Sequence, residues 1–155
     1  IDTLCAIAKT VWHETYDDLL PPGQPDYMIE KFQSDHAVKE QMARENYRYV
    51  LAKLGEAYVG FVGYAPRYQG QEEMYLSKAY ILPQGRGQGV VGALFRLVEE
   101  ETKKEGLSRV RLTVNKGNAH AKAVYEHYGY RTVEAVQSDI GGGYVMDDYV
   151  MVKEL

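Results

Sequence analysis

Three glycines at alternate positions, Gly85, Gly87 and Gly89, stand inside the run Ala79-Tyr80-Ile81-Leu82-Pro83-Gln84-Gly85-Arg86-Gly87-Gln88-Gly89-Val90-Val91-Gly92. The order reads as an apolar strand end, a tight turn and a helix start. Such a turn leaves several backbone N–H groups unpaired in one concavity, and the positive end of the following helix dipole adds to them. The chemistry this offers is a seat for an anion, above all a phosphate. The three glycines let the backbone take positive φ and approach a ligand, while Arg86 and Gln88 add charge and donors. A ligand-free strand-to-helix connection is the plainer alternative.

The helix that must follow is well marked. Val90, Val91, Leu94, Leu97 and Val98 recur at helical spacing, Glu99, Glu100, Lys103 and Lys104 take much of the rest, and Gly106 supplies the stop. Two nucleotide folds do not fit. A Walker loop needs Lys followed by Ser or Thr after its last glycine, where this chain has Val90-Val91. Gly87-Gln88-Gly89-Val90-Val91-Gly92 satisfies the short Rossmann pattern, but the next strand ends in Thr113-Val114-Asn115-Lys116, without the ribose-binding carboxylate.

The run resembles the pyrophosphate loop of the GNAT superfamily of acyl-CoA N-acyltransferases: Gln or Arg, two variable residues, Gly, one variable residue, then Gly or Ala. Here these are Gln84, Gly87 and Gly89. A second block agrees, since Asn118, Ala121, Tyr125, Gly129 and Tyr130 match the family's spacing in the right order. The resemblance covers roughly Tyr75 to Tyr130 strongly and the remainder weakly.

The resemblance implies acetyl-CoA as co-substrate. Its pyrophosphate would sit on the turn from Gln84 through Gly85, Arg86, Gly87, Gln88 and Gly89 to Val90, and its pantetheine would pair with the strand end Tyr80, Ile81 and Leu82. A free N–H there would polarise the thioester carbonyl. Family members place a general acid for the departing thiolate at the position of Tyr125, and a pantetheine contact at that of Asn118. Read without the family, Tyr125 belongs to an apolar helical stripe with Ala121, Val124 and Tyr128, and Asn118 is a helix cap.

A general base is missing from the pattern. The strand before the turn, Met74-Tyr75-Leu76-Ser77-Lys78-Ala79-Tyr80, carries no acid, and Glu72 and Glu73 read as solvated loop charges. A water chain could deprotonate the amine. Glu14, Asp17, Asp18, Asp147 and Asp148 remain as sites for a cationic acceptor, each also readable as a surface charge. The four histidines show no metal spacing, so no metal is expected; they read as surface residues, with His120 near the cofactor. Cys5 reads as packing rather than as a nucleophile.

Composition bounds the rest. With 155 residues, one domain spanning 1–155 is expected. A net charge of -4 argues against nucleic acid and suits a cationic partner such as a small-molecule amine. One cysteine excludes an internal disulfide, and no run approaches the roughly 20 apolar residues of a membrane span, which together point to the cytoplasm.

In chain order, Asp2 or Thr3 caps a helix to about Tyr16, Pro21 to Pro25 breaks it, Asp26 to Phe32 forms a second, and Ser34 or Asp35 caps a third. A hairpin turns at Gly55-Glu56, a strand spans Glu73 to Leu82, and two last strands lie near Arg131–Gln137 and Tyr144–Lys153. The fold class is α/β (α+β), a mixed and, by the resemblance, mostly antiparallel sheet flanked by helices. The family's usual strand before the first helix is not seen, so the sheet is expected to be shorter or that strand to be missing here. A homodimer through the edge of the late strands fits this plan. The resemblance implies an N-acetyltransferase acting on a small-molecule amine, and Glu14 to Asp18, Tyr27 to Phe32 and Met146 to Tyr149 look similar to bacterial members, some of which acetylate polyamines. A peptide or protein acetyltransferase, a non-catalytic CoA sensor and a generic nucleotide-binding module remain open.

Overall fold

The computed structural model describes residues 1–155. Helix α1 (Asp2–Tyr16) is followed by α2 (Gln24–Met28), a π-helical turn (Ile29–Gln33) and α3 (Asp35–Arg44). Strands β1 (Arg48–Leu54), β2 (Ala57–Pro66) and β3 (Met74–Ile81) lead to α4 (Val90–Lys104). Then come β4 (Arg109–Asn115), α5 (Ala119–His127), β5 (Arg131–Gly141) and β6 (Tyr144–Glu154). The six strands form one sheet in the order β1-β2-β3-β4-β6-β5. Every pairing is antiparallel except β3 with β4.

Helices cover both faces. On one, Leu94, Phe95 and Val98 of α4 pack on Met74, Leu112 and Met151 of the sheet, and α5 joins them through Val124 and Tyr125. On the other, Leu4, Ile7 and Val11 of α1 pack with Val38 of α3 against Phe61. A stripe of apolar residues at helical spacing thus meets a sheet face on each side.

Several local readings hold. Ser34 Oγ accepts the Ala37 N–H, and Asn118 caps α5 by accepting the Ala121 N–H at 3.2 Å. Gly106, at φ +75°, ends α4 with the paired bonds of a Schellman turn, Gly106 N–H to Lys103 and Leu107 N–H to Thr102. Others are corrected. No side chain caps α1; the chain simply starts turning at Asp2. The second helix begins at Gln24, inside the proline-rich breaker, because Pro25 is tolerated in a first helical turn, and it changes to π-helical geometry at Ile29. β5 runs to Gly141, so the turn to β6 is only Gly142-Gly143, both at positive φ.

The feature that positions the site is in β3. Gly63 pairs with Lys78 but Tyr64 with Leu76, so Ser77 is an extra residue, a β-bulge. Met74 and Leu76 face α4, whereas past the bulge Tyr80 packs among α1 and π-turn residues and Lys78 bonds to the π-turn and α3. One inserted residue has changed which side chains point to which face. Beside the bulge, β3 pairs with β4 only at Met74–Val110 and Tyr75–Arg111. Beyond those pairs the two strands lie unpaired, and a gap opens in the sheet.

Candidate active site

A cavity of about 1150 Å³ occupies that gap, larger than the roughly 300–1,000 Å³ of a usual ligand pocket. From the α4/α5 side it is lined by Arg86, Gly87, Gly89, Asn118 and Tyr125, and from the α1 side by Trp12, Tyr16, Gln33, Tyr80 and Asp148. It therefore passes through the sheet, at the carboxyl ends of two parallel strands where α/β proteins gather ligands.

At one end stands the glycine turn. Gly85 and Arg86 N–H groups close a short 3₁₀ turn onto Leu82 and Pro83, but those of Gly87, Gln88, Gly89, Val90, Val91 and Gly92 donate to no backbone carbonyl. Gly87 and Gly89 hold φ of +73° and +77°, which leaves these donors clustered at the start of α4. This fits a pyrophosphate. Gly85 is different: its φ is not positive, and a Cβ there would lie 2.8 Å from Val59 Cβ, so it is small for packing. Arg86 is bound to Glu14 of α1 at 2.6 Å and to the Ile81 carbonyl at 3.2 Å. Gln84 and Gln88 are exposed and do not line the cavity.

The strand end divides its backbone between two partners. Leu82 N–H is committed to the Val59 carbonyl at 2.7 Å, whereas Ile81 turns its main chain the other way, toward Arg86 and the gap. Alternation along an antiparallel strand places the Ala79 main chain on that same side. Of the strand end Tyr80 to Leu82, Ile81 is thus the residue whose N–H faces the gap, with Ala79 on the same side behind it, and Leu82 N–H is not available.

The second motif is a complete helix with both ends fastened. Asn118 is the N-cap, Tyr125 is three residues from the C-cap, Gly129 takes φ +96°, and Tyr130 N–H bonds back to the Tyr125 carbonyl. The Tyr125 ring stacks on Phe95 at 5.8 Å. Burial pushes its phenol pKa upward, so it is protonated at working pH and able to donate.

Tyr16 was not foreseen as a site residue. Its phenol lies beside Asn118 and near Asp148, and burial raises its pKa in the first place. Its ring is 4.4 Å from Trp12, whose Nε1–H donates to Tyr80 Oη at 2.8 Å; Gln33 Nε2 donates to the same oxygen at 3.2 Å. Tyr80 is thereby held by its hydroxyl on the α1 side of the gap.

Two acids depart from their expected places. Glu73 is no solvated loop charge: its side chain is 13% exposed and binds Arg111 Nε at 2.7 Å, which fastens β3 to β4 just before they part. Asp148 is no surface charge: it is 6% exposed, and burial raises its pKa to about 6. Glu72 is exposed as expected, beside Arg67. His120 lines the cavity, and His13 lies between Asp17 and Asp26.

Lys78 is the other buried charge, at 4% exposure, donating to the Phe32 carbonyl at 2.7 Å and Gln41 Oε1 at 2.9 Å, with the Tyr49 ring 5.2 Å away. Burial lowers its pKa to about 7 from 10.5. The unfolded chain therefore holds more protons between those values, and this group makes stability rise with pH across that window. Both acceptors have second donors, Gln41 Nε2 and Tyr49 Oη. Lys78→Met is accordingly expected to stabilise the protein at pH 7 by about 1–3 kcal/mol and to flatten that rise, as read from melts at pH 7 and 10.

The sequence matches the model of the acetyltransferase (GNAT) family over residues 11–130. The chain belongs to the GNAT family. Uncharacterised N-acetyltransferases of Mycobacterium bovis and Mycobacterium tuberculosis are 36% identical over 95 residues, which are 61% of this chain. That match spans about 60% of the length of those curated relatives. The fold is that of the PaiA N-acetyltransferase of Thermoplasma acidophilum, solved with coenzyme A (TM-score 0.80, 20% identity, 99% of this chain and 92% of that one). A GCN5-related N-acetyltransferase from Rhodopseudomonas palustris is similar (TM-score 0.81, 16% identity, 99% and 89%). A GNAT acetyltransferase of Elizabethkingia anophelis with acetyl-CoA bound gives a TM-score of 0.65 at 16% identity, covering 88% of this chain and 94% of that one.

Proposed function

We propose that this GNAT chain moves the acetyl group of acetyl-CoA directly to the primary amine of a small molecule. The observation that carries the reading is the single cavity joining the glycine turn, Tyr125 and a buried carboxylate through the gap between β3 and β4. The unpaired N–H groups from Gly87 to Gly92 hold the pyrophosphate, and Ile81 N–H meets the thioester carbonyl. Acetyl-CoA, bound there, supplies an activated acyl group. Tyr125 donates a proton to the departing sulfur, and binding the two reactants from opposite faces of the sheet makes their reaction effectively unimolecular.

A small acceptor is favoured over a peptide by the β5–β6 hairpin, which closes the α1 side. Tyr27 Oη donates to the Ile140 carbonyl at 2.9 Å, Lys31 binds the same oxygen, and Gln24 Nε2 donates to the Val145 carbonyl. Trp12, Met28 and Ile140 pack beneath. A polyamine-like amine suits an apolar sleeve with a carboxylate inside it. No helix is long and apolar enough to cross a membrane, and we read the site of action as the cytoplasm. The single domain 1–155 has β5 at its sheet edge, with Val133 46% exposed; a homodimer formed there would raise the sedimenting mass twofold, and a monomer would exclude it.

The test is thiol release from acetyl-CoA across polyamines, amino sugars, amino acids and short peptides. Release with one small-amine class supports the reading. Release only with peptides overturns the small acceptor. No release, while acetyl-CoA still raises the melting temperature, makes the chain a CoA-binding sensor.

A further inference from the structure

Two side chains lining the cavity from the α1 side, Asp148 and Gln33, each keep an acceptor oxygen that is sealed from solvent and paired with nothing: Asp148 Oδ1 and Gln33 Oε1. Both residues are more than nine-tenths buried, at 6% and 3% exposure. Folded proteins satisfy the great majority of such groups, because an unpaired buried acceptor costs stability. In both cases the missing partner is a hydrogen-bond donor. The one cation near Asp148, Lys116, is instead taken by Asp147 at 2.9 Å.

The position of the carboxylate is specific. Asp148 pairs across the sheet with Asn115, the last residue of β4, and so sits where β4 gives way to the Asn118 cap and α5. The Tyr16 phenol lies near both it and Asn118, and near Tyr125 and Tyr80. We propose that Asp148 is the missing base: its carboxylate receives the primary ammonium of the acceptor and removes its proton, while Gln33 takes a second donor on the same molecule. This rests on the acetyl-transfer reading. One ammonium proton passes to Asp148 and thence to solvent. The freed nitrogen lone pair forms the C–N bond as the C–S bond breaks, Tyr125 protonates the sulfur, and the nitrogen's second proton restores the Tyr125 phenol. The charged groups around Asp148 are Asp147 on its own strand and Lys116 after β4; from α1 it faces the Tyr16 phenol.

Asp148→Asn, with the exposed Glu72→Gln outside the cavity as control, tests this by thiol release on the amine panel and by melting with and without acetyl-CoA. The inference expects Asp148→Asn to lower kcat/KM for the amine at least tenfold and to remove the acid limb of the pH profile near pH 6. It also expects a higher melting temperature at pH 7.5, no change in the shift produced by acetyl-CoA, and activity within threefold in the control. Wild-type turnover with Asp148→Asn within threefold and the limb intact overturns the role of Asp148 alone. No wild-type turnover of any amine overturns acetyl transfer, and this role with it.

Discussion

Tyr125→Phe is expected to lower kcat about a hundredfold while leaving the affinity for acetyl-CoA within twofold. The substitution deletes one oxygen from a side chain whose ring stays stacked on Phe95 and edge-on to Tyr130, and whose backbone carbonyl still closes the Schellman turn at Tyr130. The fold therefore survives. What is lost is a proton source at the departing sulfur, and positioned acid catalysis of this kind contributes about 10²–10⁴-fold. A free thiol has a pKa near 8.5, so expulsion as a bare thiolate is the slow alternative left to the variant. Single-turnover measurement of CoA release gives the answer directly, and a variant within threefold of wild type would move the acid elsewhere, with Tyr16 as the next phenol in the cavity.

The second large effect falls on binding. Gly89→Val should weaken acetyl-CoA about a hundredfold, or about 3 kcal/mol, with a drop in melting temperature. Gly89 is the N-cap of α4 at φ +77°, where a β-branched residue is strained by at least 1–2 kcal/mol. Its Cβ would meet nothing within 4 Å inside the protein, so no internal clash accompanies that strain. The backbone must instead rotate to relieve it, and that rotation re-aims the N–H groups that form the anion seat. Gly85→Ala provides the contrast. Its Cβ would press on Val59 at 2.8 Å, so it should lower the melting temperature more than it changes affinity per molecule folded. Calorimetric titration of acetyl-CoA into both variants separates the two roles, and equal affinity in Gly89→Val and wild type would remove the turn from the cofactor site.

Asp148 gives a third measurable consequence through pH. An acid whose folded pKa is raised to about 6 from 3.8 penalises the folded state wherever it is ionised, so the penalty is complete above pH 6 and fades as pH falls toward 3.8. Asp148→Asn should consequently stabilise most at pH 7.5 and least at pH 4.

What could be read in the sequence was local. The block from Asn118 to Tyr130 spells one helix from its cap to its Schellman turn, so its spacing is fixed by helix geometry within thirteen residues of chain. Gly87 and Gly89 are legible because their φ demands glycine; Gly85 is glycine because of Val59, a partner on another strand. What the sequence hid was burial and pairing that depend on sheet order, including that of Asp148, which it offers only as one of several acids. β6 lies between β4 and β5, and that insertion buries Asp148 against Asn115. Nothing in the alternation of Met146 to Tyr149 announces it. Glu73 and Arg111 meet only because β3 and β4 are neighbours, and Lys78 and Tyr16 join the site through the helices that cross the sheet face.

Ser77 makes β3 two strands out of phase with one another, although the chain is continuous. Even-numbered side chains serve the α4 core before it and the α1 pocket after it. Deleting Ser77 would leave composition, length and hydropathy almost unchanged. It would nonetheless send the ammonium of Lys78 and the phenol of Tyr80 into the apolar layer under α4, and bring Ala79 and Ile81 out in their place. Homologues aligned across this strand therefore have to be matched by the parity of their positions, because a single unplaced gap exchanges pocket for core.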